Sequence, residues 1–211
     1  MENEMVISKE YFAEVAEEWD EIRSGFFSEA MRDAAIRRAN LATGAVVADV
    51  GTGTGFVLRG LLGQAEELTG FDESEEMLTV ARNHFAGYPN VQFRQAEGQH
   101  LPAEDNRFDV VFANMYLHHA SDPAATIAEM VRILKPGGKL VITDLDTHEE
   151  AWMCEAMSDR WLGFDRDDVK IWYEAAGLSQ IDIDCAEGTC DCSGPEEKDI
   201  SLSILVAIGE K

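Results

Sequence analysis

Between Val46 and Leu62 a β-branched run, Val46-Val-Ala-Asp49-Val, breaks into Gly51-Thr-Gly53-Thr-Gly55 and then into a helical pattern. Glycines at alternate positions permit positive φ and let a ligand approach the backbone, while the following helix presents free N–H groups. A strand feeding a helix in this way opens a parallel β-α-β unit, because parallel neighbours need a crossover connection. The remaining chain repeats the alternation. Further apolar runs lie at Glu67–Phe71, Val91–Gln95, Phe108–Asn114, Lys139–Leu145, Ile181–Cys185 and Ser203–Gly209. Helical patterns over Gly55–Leu62, Ser74–Phe85, a short stretch near Leu101–Glu104, and Ala124–Leu134 separate the first five strands. A helix over Asp165–Ala176, ended by Gly177, leads into the sixth. Upstream, Phe12, Val15, Ala16 and Trp19 follow helical spacing, and Ser24-Gly25 breaks that pattern before a second helix, Ser28–Arg38. The spacing therefore predicts one α/β domain over residues 1–211. Its doubly wound, seven-stranded sheet (41–211) is mostly parallel, with the last strand an antiparallel edge, behind an N-terminal helical cap (1–40).

Composition narrows the partners. The chain has 211 residues, 45% hydrophobic and 27% charged, which is ordinary globular usage. Seventeen Lys+Arg against 41 Asp+Glu leave a net charge of −24. That field repels phosphate backbones and anionic membrane surfaces, so neither nucleic acid nor membrane is an expected partner. No apolar run approaches a spanning length, and the first ten residues lack a secretory pattern, so a soluble, cytoplasmic protein is expected.

The glycine loop itself is not a dinucleotide fingerprint. That motif needs glycine where Phe56 stands; here the spacing is G-x-G-x-G, preceded by Asp49. A carboxylate just before the turn suits an amino group better than a pyrophosphate. Asp72 ends the second strand about 20 residues beyond Gly51, the spacing of a ribose-binding acid. Read alone, Asp72 could instead cap a helix with Glu75.

Taken in order, these motifs resemble class I S-adenosylmethionine-dependent methyltransferases. The likeness is greatest to the branch of quinone-biosynthesis methyltransferases and those fused to arsenic-repressor-type regulators. Asp49–Gly55 resembles the family's first motif, and Asp72 its ribose acid. Glu97-Gly-Gln-His-Leu-Pro102 resembles its D-A-x-x-L-P segment, and Phe108–His119 its fourth-strand motif. Leu134-Lys-Pro-Gly-Gly138 resembles the turn before the fifth strand. Phe12, Ala16 and Trp19-Asp20 resemble the branch's N-terminal pattern, and Asp159–Phe164 with Asp168–Gly177 resemble the repressor-fused group.

The resemblance implies a Rossmann-like fold, S-adenosylmethionine as co-substrate and a small-molecule acceptor. Gly51, Thr52, Gly53 and Gly55 would admit the cofactor's methionine part and Asp49 would help hold its ammonium group. Asp72 would accept from the ribose hydroxyls, Glu97 from the adenine amine, and the Gly98 N–H would donate to a ring nitrogen. Asn114 and Met115 would lie beside the sulfonium. His118, following the fourth strand, is the candidate general base.

Three other readings remain open at this stage. Asp144, Asp146 and His148 could ligate Mg²⁺, although no metal is expected. Cys154, Cys185, Cys190 and Cys192 could gather a soft metalloid such as arsenite for methylation. A cofactor-binding sensor without turnover is the non-enzymatic alternative. Phe12, Trp19, Phe26 and Phe27, with the Trp152–Trp172 region, are expected to close over the cleft; otherwise they form core or a homodimer interface.

Overall fold

The computed structural model describes residues 10–193 and 199–211. Residues 10–15 (α1) are helical, and a turn at 16–18 separates them from α2 (Trp19–Ser24) and α3 (Glu29–Ala39). Strands β1 (Val46–Val50), β2 (Glu67–Asp72), β3 (Val91–Gln95), β4 (Phe108–Asn114) and β5 (Leu134–Leu145) follow. Between them come α4 (Phe56–Leu61), α5 (Glu75–His84), a 3-10 turn (Leu117–His119) and α6 (Pro123–Ile133). The chain closes with α7 (Met153–Ala156), α8 (Arg166–Ala175), β6 (Ser179–Ser193) and β7 (Asp199–Glu210).

The seven strands form one sheet in the order β3-β2-β1-β4-β5-β7-β6. β1 to β5 pair in parallel, and β7 pairs antiparallel with both β5 and β6. The last strand is antiparallel, as its sequence suggests, but it is not an edge: it inserts between β5 and β6, which leaves β6 outermost. No crossover pattern in the sequence specifies that insertion, because an antiparallel partner needs only a turn. β6 also outruns its apolar core, so Cys190 and Cys192 belong to the strand and not to a loop beyond it. The stretch near Leu101–Glu104 forms no helix.

Both sheet faces are covered, so the strands alternate between two apolar clusters. Val110 and Phe112 of β4 point with Val141 into one, alongside Met31, Ile36, Leu58 and Leu61. Val111 and Ala113 point with Leu140 and Ile142 into the other, with Ile127, Met130, Val169 and Tyr173. Caps fix the helix starts: the Ser28, Ser74, Asp122 and Asp165 side chains accept backbone N–H groups of α3, α5, α6 and α8. No helix among the described residues is long and apolar enough to cross a membrane.

Candidate active site

The parallel strands share one carboxyl edge, and a cleft opens there between β1 and β4, where the strand order reverses. Gly51, Gly53 and Gly55 take φ of +70°, +52° and +90°, a region that strains any side chain. Asp72 fastens this loop to the end of β2: its Oδ2 accepts the Gly53 N–H at 2.7 Å and its Oδ1 the Ser74 N–H at 3.0 Å. Ser74, not Asp72, caps α5, accepting the Met77 N–H at 3.2 Å.

Asp49 lies under the loop with 1% of its surface exposed. Its Oδ2 accepts from the Thr52 hydroxyl at 2.7 Å, while its buried Oδ1 has no hydrogen-bond partner. Burial, opposed by the Thr52 hydroxyl and assisted by the Asp72 charge, raises its pKa to about 7. A buried carboxylate oxygen left unsatisfied beside a glycine cradle fits an incoming ammonium group.

Asp49, Gly51, Thr52, Gly53, Asp72, Glu97, Gly98, Asn114 and Met115 all line this cleft. Gly55 stands behind it as the α4 N-cap, where a Cβ would collide with the Phe85 ring. Thr143 donates its hydroxyl to Asn114 Oδ1 at 2.7 Å, which fixes the end of β4. Met115 then turns left-handed, at φ +51°, with its N–H donating to the Thr143 carbonyl at 2.8 Å. That turn throws Tyr116 across the cleft. Its ring lies where a Cβ on Gly51 would be, and its hydroxyl where one on Gly98 would be. Tyr116 thus bridges the two loops that the resemblance gives to opposite ends of one cofactor.

The cap closes the other side. Trp19 and Phe12 pack edge to face at 5.2 Å, and the Trp19 indole covers Gly53. Asp20 clamps α2 to the core, accepting from the Thr54 hydroxyl at 2.6 Å and from Arg59 at 3.1 Å. Phe12, Trp19 and Phe27 line the cleft. Phe26 and Trp152 pack against the first core cluster, and Trp172 meets Phe164 in the second, so these three aromatics do not line it.

The two histidines have different surroundings. His118 is buried beneath the cleft, with Nδ1 2.7 Å from Asp144 Oδ1 and Nε2 3.7 Å from Asp159 Oδ1. Burial works against its charge, yet the two carboxylates raise its pKa to about 9. His119 lines the cleft, stacked edge-on against Phe12 at 5.0 Å, with Nδ1 3.2 Å from the Ser158 carbonyl. Burial and the neighbouring His118 charge hold its pKa well below the usual value. Sequence spacing favoured His118; only side-chain placement shows that His119 faces the cleft.

Asp144, Asp146 and His148 do not converge. Asp144 accepts from Leu117, His118 and Leu145 N–H groups, while Asp146 forms a bidentate pair with Arg166 at 2.7 Å. His148 accepts the Glu150 N–H. Among the cysteines, Cys154 and Cys185 are exposed, and Cys185 sits 3.1 Å from Arg166; neither lines the cleft. The side chains of Cys190 and Cys192 lie outside the described residues.

Residues 48–142, from β1 to β5, match the family described as Methyltransferase domain. Demethylmenaquinone methyltransferase of Tropheryma whipplei is 33% identical over 141 residues, 64% of this chain and 58% of that protein. The chloroplastic 2-methyl-6-phytyl-1,4-hydroquinone methyltransferase 1 of Oryza sativa is 31% identical over 166 residues, 77% of this chain and 50% of that protein. The chain thus spans about half the length of these curated relatives. A methyltransferase of Haloferax volcanii, solved in complex with its Trm112 activator, shares the fold at TM-score 0.79 and 22% identity, covering 94% and 96% of the two chains. Phosphoethanolamine N-methyltransferase 2 of Haemonchus contortus, solved with S-adenosyl-L-methionine, does so at TM-score 0.69 and 17% identity, covering 85% and 52%. Relatives, strand order and glycine loop agree: over residues 48–142 the chain matches a methyltransferase domain, and its fold is that of the class I S-adenosylmethionine-dependent methyltransferases it resembles.

Proposed function

We propose that the protein transfers a methyl group from S-adenosylmethionine to a small aromatic acceptor of the quinol type. One observation carries the reading. In a single cleft, acids suited to a cofactor (Asp49, Asp72, Glu97) face an aromatic wall (Phe12, Trp19, Phe27) that ends at an uncharged imidazole, His119. The names of the curated relatives supply the acceptor class, since both act in quinone chemistry.

When bound, S-adenosylmethionine supplies a methyl carbon on a positively charged sulfur, a leaving group already activated. The protein's work is therefore positioning and proton handling. Asp49 Oδ1 would take the ammonium group and Asp72 the ribose hydroxyls. Glu97 and the Gly98 N–H would read the adenine edge, and Asn114 and Met115 would border the sulfonium. Gly51, Thr52 and Gly53 would let the chain of the cofactor lie against backbone, with Gly55 setting the start of α4. Phe12, Trp19 and Phe27 would hold a flat ring and exclude water. As the acceptor takes the methyl group, its proton would pass to His119. The Ser158 carbonyl favours a proton on Nδ1, which leaves Nε2 free to accept. His118, held by Asp144, would position its neighbour and take no proton from the acceptor.

Radiolabelled methyl transfer to a panel of quinols, phenols, thiols, small amines and arsenite tests this. Label should appear on a dihydroxy-aromatic acceptor, and His119→Ala should lower kcat by about 100-fold with KM little changed. Transfer to arsenite that vanishes on replacing the cysteines would instead establish the metalloid reading. No transfer to any acceptor, with S-adenosylhomocysteine still bound, would establish a binding module.

A further inference from the structure

Arg23, on the cap helix α2, is a buried cation with no direct ion pair among the described residues. Only 6% of its surface is exposed, yet it lines the cleft. Its guanidinium carbon stacks 3.8 Å from the centre of the Phe56 ring, on the first residue of α4. Among the described residues its one hydrogen bond is long, from Nη1 to the Phe27 carbonyl at 3.4 Å, and its buried Nε has no partner there. Among the described residues no carboxylate lies within 4.0 Å of it; Asp20, one turn earlier, is engaged by Thr54 and Arg59. A guanidinium does not shed its proton, and Asp20 and Glu29 act on it only from beyond ion-pair distance, so its buried donors are left for an incoming anion.

The surrounding charges select the anion. The floor of the cleft carries Asp49, Asp72 and Glu97, which exclude a ligand that is negative throughout. A zwitterion resolves this, with its cationic end on the unsatisfied Asp49 Oδ1 and its anionic end on the unsatisfied guanidinium across the glycine loop. Building on the methyltransferase reading, we propose that Arg23 is the receptor for the carboxylate of the cofactor's amino-acid end. In this role it makes seating of the cap helix depend on cofactor occupancy. Planar, bidentate carboxylate recognition is what a guanidinium stacked on an aromatic ring is prearranged to do.

Calorimetry with two ligands tests the assignment: S-adenosylhomocysteine and its decarboxylated analogue, which keeps the amine and lacks the carboxylate. Wild type should bind S-adenosylhomocysteine about 10- to 100-fold more tightly than the analogue, the range of a charge-assisted hydrogen bond. Arg23→Gln should lose that preference by weakening S-adenosylhomocysteine while changing the analogue less than about 3-fold. Arg23→Lys, which keeps the charge, should retain part of it. Equal weakening of both ligands in Arg23→Gln would overturn the proposal, showing that Arg23 serves only to hold the cap. So would a preference that survives Arg23→Gln but disappears in Arg160→Gln, because Arg160 is another cation in the cleft wall. Failure of wild type to bind either ligand would overturn the methyltransferase reading itself and this assignment with it.

Discussion

Asp49 and Asp72 meet under the glycine loop with different tasks, and three residue-level predictions follow from their surroundings and from Tyr116. Asp72 already accepts two backbone N–H groups, so its two oxygens are fixed in direction before any ribose arrives. Asp72→Ala should weaken S-adenosylhomocysteine binding by about 1.5–3 kcal/mol, measured by calorimetry, since charge-assisted bonds are lost. An unchanged affinity would leave Asp72 as a loop fastener alone. Asp49, at a pKa of about 7, is mostly protonated at pH 6. A ligand ammonium favours the ionised form, so binding at pH 6 should release close to one proton and affinity should fall as pH drops through 7. Calorimetry in buffers of different ionisation enthalpy reads that proton directly, and Asp49→Asn should abolish it. The Tyr116 hydroxyl sits against Gly98, the backbone that an adenine would need to approach. Tyr116→Phe removes the oxygen that occupies the space beside Gly98 and keeps the ring, so S-adenosylhomocysteine should bind about 1 kcal/mol more tightly. Weaker binding would instead make the phenol part of the site. None of this was legible in residue order: the sequence places Tyr116 next to the fourth-strand motif, but the left-handed turn at Met115 decides where its ring goes.

At the scale of elements, the 3-10 turn after β4 hangs on one side chain of β5. Asp144 is fully buried and accepts three backbone N–H groups as well as the His118 ring. Asp144→Ala strands a buried imidazolium and several donors, and should cost about 3–5 kcal/mol in urea unfolding. The pH dependence has a definite sign. His118 has a folded pKa of about 9 against an ordinary 6.5, so its stabilisation is complete below 6.5 and lost as pH rises through 9. Asp49 and Asp159, at about 7 and about 6, nearly complete their titration by about pH 8, so the interval above it reports mainly on His118. Urea midpoints should fall across that interval in wild type and stay nearly flat in His118→Gln. Sequence order suggested a histidine after β4 at the ligand edge, and two stand there. Which one meets the cleft depends on Asp144 from another strand, a contact that residue spacing does not encode.

Across the whole molecule, 41 acidic against 17 basic residues dominate the long-range field. Self-repulsion of that size opposes the compact state, and salt shortens the Debye length from about 10 Å at 0.1 M to about 3 Å at 1 M. Raising KCl across that range should therefore raise the melting temperature; a fall would mean that local ion pairs such as Arg38–Asp182 outweigh the repulsion. The same molecule shows where sequence determination stops. Residue order by itself determined the five parallel strands, the crossover helices α4, α5 and α6, the glycine loop and the place of Asp72 at the end of β2, because each is a local pattern of apolar period, turn residues and caps. Only the tertiary structure decided that β7 enters between β5 and β6, that β6 carries its cysteines within the sheet edge, and that Arg23, Tyr116 and His119 meet in one cleft. The reason is physical. Local patterns depend on neighbours within a few residues, whereas strand insertion and the pairing of buried charges are settled by packing between segments far apart in the chain.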